Sequence, residues 1–346
     1  MCLRFRQLID PVENLALETL MLACDSHGGP RPEHILFIGA QPHSKLRGEF
    51  NLLGWQPLKP LADPWDKAGF SRSDTLPEGK WPWVWVLPQK SRDETLSWFA
   101  LARDRLAPGG RLIIAMPNTA GAARFEKELK RATGRVDSIQ KHKCRAFIAT
   151  DDKSWNEELF EEWRKLDHRR KIPGTDFVTQ PGIFSSAHID PGSLLLAQQI
   201  PKSLSGHVAD LGAGWGFLSK VALDACEGIT HIDLYEADAR ALACARQNLA
   251  GHEDKAEFHW HDVTVGLEKN FDAILMNPPF HSGQATDMDL GRAFIKSAAK
   301  ALRRGGKLLL VANRQLPYEA VLESNGLAWR KVAEDPTYKI LFAEKR

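Results

Sequence analysis

The sequence predicts an α/β protein built from two tandem, doubly wound sheets, and three observations support this fold class. The chain has 346 residues, whereas a typical domain has roughly 150, so two domains are expected. The C-terminal half alternates short apolar runs with helical patterns, which is typical of a mostly parallel sheet. The N-terminal half repeats the last part of that alternation, which indicates an internal duplication.

The elements of the C-terminal half follow one another as strand and helix in turn. The predicted strands span 207–211, 229–235, 256–259, 271–276, 307–311 and 338–344, and the predicted helices span 217–225, 239–249, 291–303 and 317–324. Gly305 and Gly306 are expected to end the third of these helices with a left-handed cap. In a sheet of this kind, ligands bind at the carboxyl ends of the strands.

The N-terminal half parallels this pattern in its strands, but it differs at the positions after the strands where a ligand would bind. Residues 103–118 repeat the pattern of 301–313. The strand within 34–40 carries one glycine in place of a glycine-rich turn. Leu87-Pro88-Gln89-Lys90 stands where the other half has the sequence Asn-Pro-Pro-Phe. The comparison predicts three segments, namely a degenerate domain over 1–150, a helical connector over 151–178 and a functional domain over 179–346.

The first candidate site follows the strand over 207–211. Asp210 stands near the strand end, and Gly212, Gly214 and Gly216 follow at alternate positions. Glycines let a backbone approach a ligand closely and adopt conformations that side chains disfavour. The carboxylate of Asp210 can hold the amides of the turn or receive a ligand ammonium group. The spacing differs from the Gly-x-Gly-x-x-Gly of dinucleotide sites, and a tight turn without a ligand is the alternative.

Two acidic residues after the following strands extend this candidate site. Glu236 ends the second strand, where a carboxylate can accept hydrogen bonds from both hydroxyls of a ribose. Asp262 follows the third strand and can accept a hydrogen bond from an adenine amino group. The alternatives are a solvated side chain for Glu236 and an ordinary N-cap for Asp262.

The second candidate site is Asn277-Pro278-Pro279-Phe280, directly after a strand that reads as buried. The prolines fix φ and make the turn rigid, so the Asn277 amide oxygen and the Pro278 carbonyl can act as fixed acceptors. Two such acceptors would bind both hydrogens of a planar amino group, and Phe280 would stack on the planar substrate. The alternative is a rigid turn that packs Phe280 into the core. Together the two sites predict S-adenosylmethionine (SAM) as the cofactor and a planar amino group as the methyl acceptor.

The segment from about residue 180 to 345 resembles the catalytic domain of bacterial ribosomal RNA guanine-N2 methyltransferases, small-subunit methyltransferase C type. The resemblance rests on the two sites above, on Pro181-Gly182-Ile183-Phe184-Ser185, on Asp190-x-Gly192-Ser193-x-Leu195-Leu196 and on residues 311–318. It implies two tandem Rossmann-like class I SAM-dependent methyltransferase domains. The N-terminal one would be degenerate and would help in folding and RNA recognition. The segment around Phe184 would close over the site.

The resemblance also implies roles for the candidate residues. Asn277, Pro278 and Phe280 would contact the target guanine, while the glycine-rich turn, Glu236 and Asp262 would hold SAM. The implied reaction is methylation of the exocyclic N2 of a guanosine in ribosomal RNA, so ribosomal RNA or a ribosomal subunit is the expected partner. The same Asn-Pro-Pro-Phe sequence serves enzymes that methylate adenine N6 or a protein glutamine. A non-catalytic RNA-binding or ribosome assembly factor is the alternative from another class.

Composition and charge narrow the cellular setting. The net charge of +2 is nearly neutral, so an RNA-binding surface must come from basic clusters such as those within 127–145 and 164–171. A solvated helix face is an equally good interpretation of such a cluster. The five cysteines form no Cys-x-x-Cys pair, which favours a reducing cytoplasm and predicts no metal site. No apolar run approaches the ~18 residues that a membrane span needs, so no membrane partner is expected.

Overall fold

The computed structural model of the protein describes residues 14–26, 31–48, 50–89, 91–279 and 285–346, with the backbone alone for 285–287. The chain divides into two compact units, Met1–His168 and Arg169–Arg346. Each unit contains one seven-stranded sheet. Within the described part of the chain, no helix combines the length and apolar character that crossing a bilayer requires.

The first unit is a mixed sheet with helices along the chain between its strands. Its strands are β1 (Ile35–Ile38), β2 (Leu52–Trp55), β3 (Ser71–Ser73), β4 (Trp81–Val86), β5 (Leu106–Pro117), β6 (Asp137–Lys141) and β7 (Cys144–Thr150). Its helices are α1 (Leu15–Ser26), α2 (Lys59–Lys67), α3 (Arg92–Arg105), α4 (Ala122–Thr133) and α5 (Glu157–Lys165). The strand order is β3-β2-β1-β4-β5-β7-β6, and only the pairs that involve β7 are antiparallel.

The second unit begins with a short hairpin of β8 (Arg170–Lys171) and β9 (Val178–Thr179). The strands of its main sheet are β10 (Gly206–Leu211), β11 (Ile229–Glu236), β12 (Ala256–Trp260), β13 (Phe271–Met276), β14 (Leu302–Asn313), β15 (Leu327–Glu334) and β16 (Tyr338–Lys345). Its helices are α6 (Pro191–Ala197), α7 (Phe217–Ala225), α8 (Ala239–Asn248), α9 (Ala285–Ala301) and α10 (Tyr318–Ser324).

The strand order of this second sheet is β12-β11-β10-β13-β14-β16-β15, which is the order of the first sheet element for element. The predicted duplication and the tandem Rossmann-like fold are therefore confirmed. The central strands are apolar because helices cover a parallel sheet on its faces, and every side chain of β1 is buried. The last two strands of each unit pair antiparallel, so each sheet is mixed.

One predicted helix end is wrong. Helix α9 ends at Ala301, and β14 begins at Leu302, so Gly305 and Gly306 lie in a strand and do not cap the helix. Leu302 pairs with Phe271 and Lys307 with Ala273, which leaves the residues between Leu302 and Lys307 as an irregular bulge. Gly305 has a φ of 75° there, a left-handed conformation that suits glycine in a bulge as well as in a cap.

The predicted connector over 151–178 does not form a separate segment. Trp155, Phe160 and Trp163 are buried in the core of the first unit. The amphipathic helix α5 turns Phe160 and Trp163 inward, and Trp155 precedes this helix. The division between the units falls after His168. The residues that follow form the hairpin of β8 and β9, which belongs to the second unit.

Candidate active site

The candidate residues follow the ends of adjacent strands in the second sheet. Strand β10 lies between β11 and β13, at the point where the order of the parallel strands reverses direction. In doubly wound folds this switch point forms the ligand crevice. Asp210 lies on β10, Glu236 ends β11 and Asn277 follows β13, so one edge of the sheet brings the two predicted sites together.

The glycine-rich turn has a backbone that only glycine adopts easily. Gly212, Gly214 and Gly216 have φ values of 72°, 55° and 86°, in the left-handed region. A Cβ on Gly216 would lie 2.7 Å from Leu249 Cδ1, whereas one on Gly214 would meet nothing within 4 Å. The turn is therefore closed towards α8 and open at Gly214, where a ligand can approach the backbone.

Asp210 is fully buried at the base of this turn. Its Oδ2 accepts a hydrogen bond of 2.7 Å from the Ser219 hydroxyl on α7, while Oδ1 has no partner among the described residues. Burial raises the pKa of Asp210 to about 6. The side chain does not hold the turn amides, and its buried oxygen still requires a donor. Reception of a ligand donor by Asp210 stays a prediction.

Glu236 connects the turn to the loop after β11. Its Oε2 accepts a hydrogen bond of 2.7 Å from Gly214 N, and its Oε1 accepts one of 2.8 Å from Asp238 N. Burial raises the pKa of Glu236 to about 7. A carboxylate has about four acceptor positions, so these two bonds orient the group and leave capacity for ligand hydroxyls.

Asp262 shows the geometry of a cap. Its Oδ1 accepts hydrogen bonds from Thr264 N at 2.9 Å and from Thr264 Oγ1 at 2.7 Å, at the start of the short 3-10 turn Val263–Val265. This is the capping role that the sequence offered as the alternative. Its role towards an adenine stays a prediction.

Asn277 is held in one orientation by two residues. Its Nδ2 donates to Asp190 Oδ2 at 2.9 Å and to Ser193 Oγ at 2.7 Å. Because both amide hydrogens are engaged, Oδ1 is left as an oriented acceptor. Pro278 is buried beside it, which keeps the turn in place. Phe280 lies outside the described residues.

The residues that orient Asn277 were not given this role by sequence reasoning. Asp190 is the N-cap of α6, and its Oδ2 also accepts from Ser193 N at 2.8 Å. An Asp before a Pro is a recognisable helix start, so the cap itself was detectable. The partner of the capping carboxylate stands 87 residues later, and no local pattern identifies it.

A small cleft, with a cavity volume of about 30 Å³, joins these parts. Its lining residues are Phe184, Ser185, Asp190, Ser193, Gly212, Ala213, Gly214, Trp215, Phe217, Leu218 and Asn277. The predicted Phe184 is 54% exposed at its edge. The structure thus places Phe184, Asn277 and two of the three turn glycines around one opening.

Asn248 attaches the segment before Phe184 to the glycine-rich turn. Its Nδ2 donates to Val178 O at 2.9 Å and to Trp215 O at 2.8 Å, and its Oδ1 accepts from Val178 N at 2.7 Å. Because this buried amide joins β9 to the turn, the loop that carries Phe184 begins at a fixed point. This anchor was not predicted from the sequence.

A glycine-rich turn at the switch point, opposed by an oriented amide oxygen after the fourth strand of the sheet, defines a class I SAM-dependent methyltransferase. The Methyltransferase small domain family matches residues 174–342. Ribosomal RNA small subunit methyltransferase C of Pseudomonas aeruginosa (strain LESB58) is 31% identical over 283 residues, which cover 80% of this chain and 83% of the relative. The enzyme of the same name from Psychromonas ingrahamii is 30% identical over 248 residues, 71% of this chain and 70% of that relative.

A solved structure is similar over both units. The T. thermophilus 16S rRNA N2 G1207 methyltransferase, in complex with AdoMet and guanosine, has a TM-score of 0.79 and 26% identity, and the match covers 96% of this chain and 92% of that one. The chain belongs to the ribosomal RNA small subunit methyltransferase C family. The resemblance drawn from the sequence is confirmed.

Proposed function

We propose that the protein transfers the methyl group of SAM to the exocyclic N2 of a guanosine in small-subunit ribosomal RNA. The observation that carries this proposal is the fixed amide of Asn277 at the edge of the cleft, with both of its hydrogens engaged. The T. thermophilus relative, solved with AdoMet and guanosine, supports the choice of base. Ribosomal RNA as the partner in turn supports a cytoplasmic location.

The residues around the glycine-rich turn fit SAM. The open backbone at Gly214 admits a ligand, the buried Oδ1 of Asp210 requires a donor, and Glu236 is oriented to accept hydroxyl groups. When bound, SAM supplies an electrophilic methyl group on a sulfonium ion. Asp262 and Phe184 are proposed to border the same cofactor. Asp262 would lie at its adenine, and Phe184 would lie on the side that faces the opening of the cleft.

The acceptor site acts by orientation. The amino group of guanine is a poor nucleophile because its lone pair is delocalised into the ring. The Asn277 amide oxygen and the Pro278 carbonyl are proposed to accept its two hydrogens, which favours a pyramidal nitrogen with its lone pair towards the methyl group. Such an interaction is stronger in the transition state than in the ground state, and Phe280 is proposed to stack on the base.

Asp190 and Ser193 act as positioning residues for this step. Without their two acceptors the Asn277 amide can rotate, and its NH₂ group would then face the substrate amine. Two donors opposite each other would repel the amino group and leave it without acceptors. The contacts of 2.9 Å and 2.7 Å to Nδ2 therefore select the productive orientation.

The first unit is proposed to contribute to RNA binding through exposed lysines within 127–145. Arg131 of that cluster pairs with Glu128 on the same helix, which matches the interpretation as a solvated helix face, and Arg145 on β7 pairs with Glu126. Lys127, Lys130, Lys141 and Lys143 are exposed. Cationic side chains of this kind bind phosphates without reading the base sequence.

The test measures transfer of labelled methyl from SAM to unmodified small- and large-subunit ribosomal RNAs, each naked and assembled into subunits. Nucleoside mass spectrometry then identifies the product. N2-methylguanosine in a small-subunit substrate is expected. Detection of N6-methyladenosine, or of methylated glutamine in a protein substrate, would contradict the proposal and would identify adenine N6 or the glutamine amide as the methyl acceptor. SAM binding without transfer to any of these substrates would instead indicate a binding factor.

A further inference from the structure

A cluster of histidines lies on the neighbouring strands β10, β11 and β12 of the second sheet, outside the glycine-rich turn. His207 is on β10, His231 and Asp233 are on β11, and Glu257 and His259 are on β12. His207 pairs with His231 in the sheet register, and Asp233 pairs with Glu257. Because alternate side chains of a strand share a face, these groups meet on one face of the sheet.

The cluster centres on one buried carboxylate. Asp233 is fully buried, and three imidazole Nε2 atoms approach it. His207 Nε2 lies 2.9 Å from Oδ2, His231 Nε2 lies 3.3 Å from Oδ1, and His259 Nε2 lies 3.1 Å from Oδ1. The imidazoles are between 21% and 35% exposed. A solute ion can therefore reach their edges, while the carboxylate remains shielded from water.

We propose that His207, His231 and Asp233 bind a divalent transition metal ion, with Zn²⁺ as the ion that fits best. One ligand atom from each of these residues lies within 4.8 Å of the others. A tetrahedral zinc ion with Zn–N and Zn–O distances of about 2.0–2.2 Å holds its ligand atoms roughly 3.3 Å apart, so small side-chain rotations close the site. Two imidazoles and a carboxylate suit zinc, and they leave a fourth position for water.

The neighbouring combination of Asp233, Glu257 and His259 also brings three ligand atoms together. Here the ammonium group of Lys269 is already in place, because its Nζ lies 2.6 Å from Glu257 Oε2 and 3.3 Å from both carboxylate oxygens of Asp233. A metal ion between Asp233, Glu257 and His259 would have to displace this group. On the side of His207 and His231 the ion would share Asp233 with the ammonium group, which keeps its closer partner Glu257, so this side is the favoured position.

His259 acts as a positioning residue for the proposed site. Its Nε2 lies 3.1 Å from Asp233 Oδ1, and its ring stacks on Tyr235 with centroids 4.5 Å apart and an angle of 15°. A hydrogen bond to a ligating carboxylate orients it and tunes its basicity. When the ion binds, the Nε2 protons of His207 and His231 move to Nδ1, so the neutral rings present their lone pairs to the metal.

This proposal differs from the sequence prediction of no metal, which considered cysteine spacing. The ligands stand on two different strands, and Glu257 and His259 add a third. His231 and Asp233 alternate along one strand, a spacing that also occurs on ordinary half-exposed strands. Only the register of β10 against β11 brings His207 opposite His231.

The test titrates the full-length protein, without a histidine tag and stripped with a chelator, with Zn²⁺ or with Co²⁺. One equivalent of saturable binding is expected, and the visible absorption of bound Co²⁺ should be that of a four- or five-coordinate site. His207→Gln and His231→Gln should each weaken binding at least 100-fold, and His259→Gln roughly 10- to 100-fold. His252→Gln is the matched control, because His252 pairs with Asp224 at 2.9 Å outside the cluster, and it should bind the ion as the wild type does.

Two results would overturn the proposal. One is the absence of saturable binding at one equivalent. The other is binding that His207→Gln and His231→Gln leave unchanged, which would make the cluster a hydrogen-bonded network that only satisfies Asp233. SAM binding provides the control for folding, because the glycine-rich turn follows the carboxyl end of β10, whereas His207 lies near the amino end of that strand. A variant that binds SAM normally and has lost the ion supports the site directly.

Discussion

The two sheets share one strand order and differ where their central strands end. In the first unit, Gly39 N and Ala40 N donate to Trp55 O at 2.9 and 3.2 Å. In the second, Gly212 N and Ala213 N donate to the carbonyl of Tyr235 at 2.9 and 3.1 Å. The backbone connection is therefore the same in both units, and the difference lies in the side chains and in the chain that follows.

The residue after each of these carbonyl groups shows the difference. Gln56 stands where the second unit has Glu236, and its Oε1 accepts from Leu58 N at 3.1 Å, as Glu236 Oε1 does from Asp238 N. Its Nε2, however, donates to Ala40 O at 3.0 Å within the core. Both polar groups of the Gln56 amide therefore have hydrogen-bond partners within the first unit, whereas the Glu236 carboxylate keeps acceptor capacity for a ligand.

The first unit has also filled the space of its turn. A Cβ on Gly39 would lie 2.3 Å from Leu87 O and 2.8 Å from the Trp98 ring. At the matching place of the second unit, a Cβ on Gly212 would lie 3.2 Å from the Phe294 ring and 3.9 Å from Asn277 O. The segment from Gln41 to Leu52 contains the 3-10 turn Ser44–Leu46 in its described part, where the second unit has the helix α7. The first unit therefore keeps the strand pairing of the fold, while packed side chains fill the place where the second unit has its candidate site.

The largest expected effect comes from giving the second unit the residue of the first at the acceptor position, Asn277→Leu. Loss of one oriented polar group that acts on the transition state typically costs roughly 100- to 1,000-fold in kcat. SAM affinity should stay within about threefold, because the glycine-rich turn is untouched. Single-turnover methyl transfer and SAM titration check the two expectations. Asn51→Ala, an exposed asparagine of the first unit, is the matched control, and activity retained in Asn277→Leu would contradict the mechanism.

The second prediction compares the packed turn with the open one. Gly39→Ala combines a φ of 74° with a Cβ contact of 2.3 Å and should destabilise the first unit by about 3 kcal/mol. Gly214→Ala has the same kind of backbone but open space and should cost only about 1 kcal/mol. Thermal unfolding followed by calorimetry measures both losses, because the heat of unfolding comes from both units. Equal losses in the two variants would show that packing does not distinguish the turns.

The third prediction concerns Glu236→Gln, which introduces the side chain of Gln56. A hydrogen bond to a charged group contributes about 1.5–3 kcal/mol, so SAM affinity should fall roughly 10- to 100-fold. The pH dependence of the SAM affinity should change as well. The pKa of Glu236 is raised to about 7, so the ionised acceptor forms as the pH rises through 7, and SAM affinity should rise with it.

In Glu236→Gln the amide does not titrate, and the rise in affinity between pH 6.5 and 8 should disappear. Isothermal titration with SAM over this range measures both effects. Glu227→Gln, an exposed carboxylate of the same unit, should leave the affinity and its pH profile as they are in the wild type. A pH profile that persists in Glu236→Gln would assign the titration to another group.

The smallest expected effect is that of Ser193→Ala, which removes one of the two acceptors for Asn277 Nδ2. Loss of one neutral hydrogen bond of about 1 kcal/mol should lower kcat roughly fivefold and leave SAM affinity unchanged. In the Asn277→Leu background the same change should have no further effect on kcat, because Ser193 acts on catalysis only by orienting Asn277. Additive losses in the double variant would mean that Ser193 acts elsewhere.

The sequence predicted the strands and the backbone of the site well, because both depend on local patterns. Helix α7 and strand β13 have the predicted bounds, and the glycines mark left-handed positions. The contacts of Asp190 with Asn277 and of Asn248 with Val178 and Trp215 are tertiary, so no local pattern contains them. Strand β15 was not predicted, and its burial pattern is mostly half-exposed or exposed, which weakens an apolar signal.

The contact between Asp190 and Asn277 also bears on the order of events during folding. The two residues are 87 positions apart and lie on either side of β10, β11 and β12. Closing so long a loop is slow compared with forming a helix or a hairpin. A nascent second unit can thus complete its glycine-rich turn before the amide of Asn277 is oriented. An enzyme in which this one contact has not formed would keep the hydrogen bond between Gly214 and Glu236 and would lack the oriented amide that methyl transfer requires.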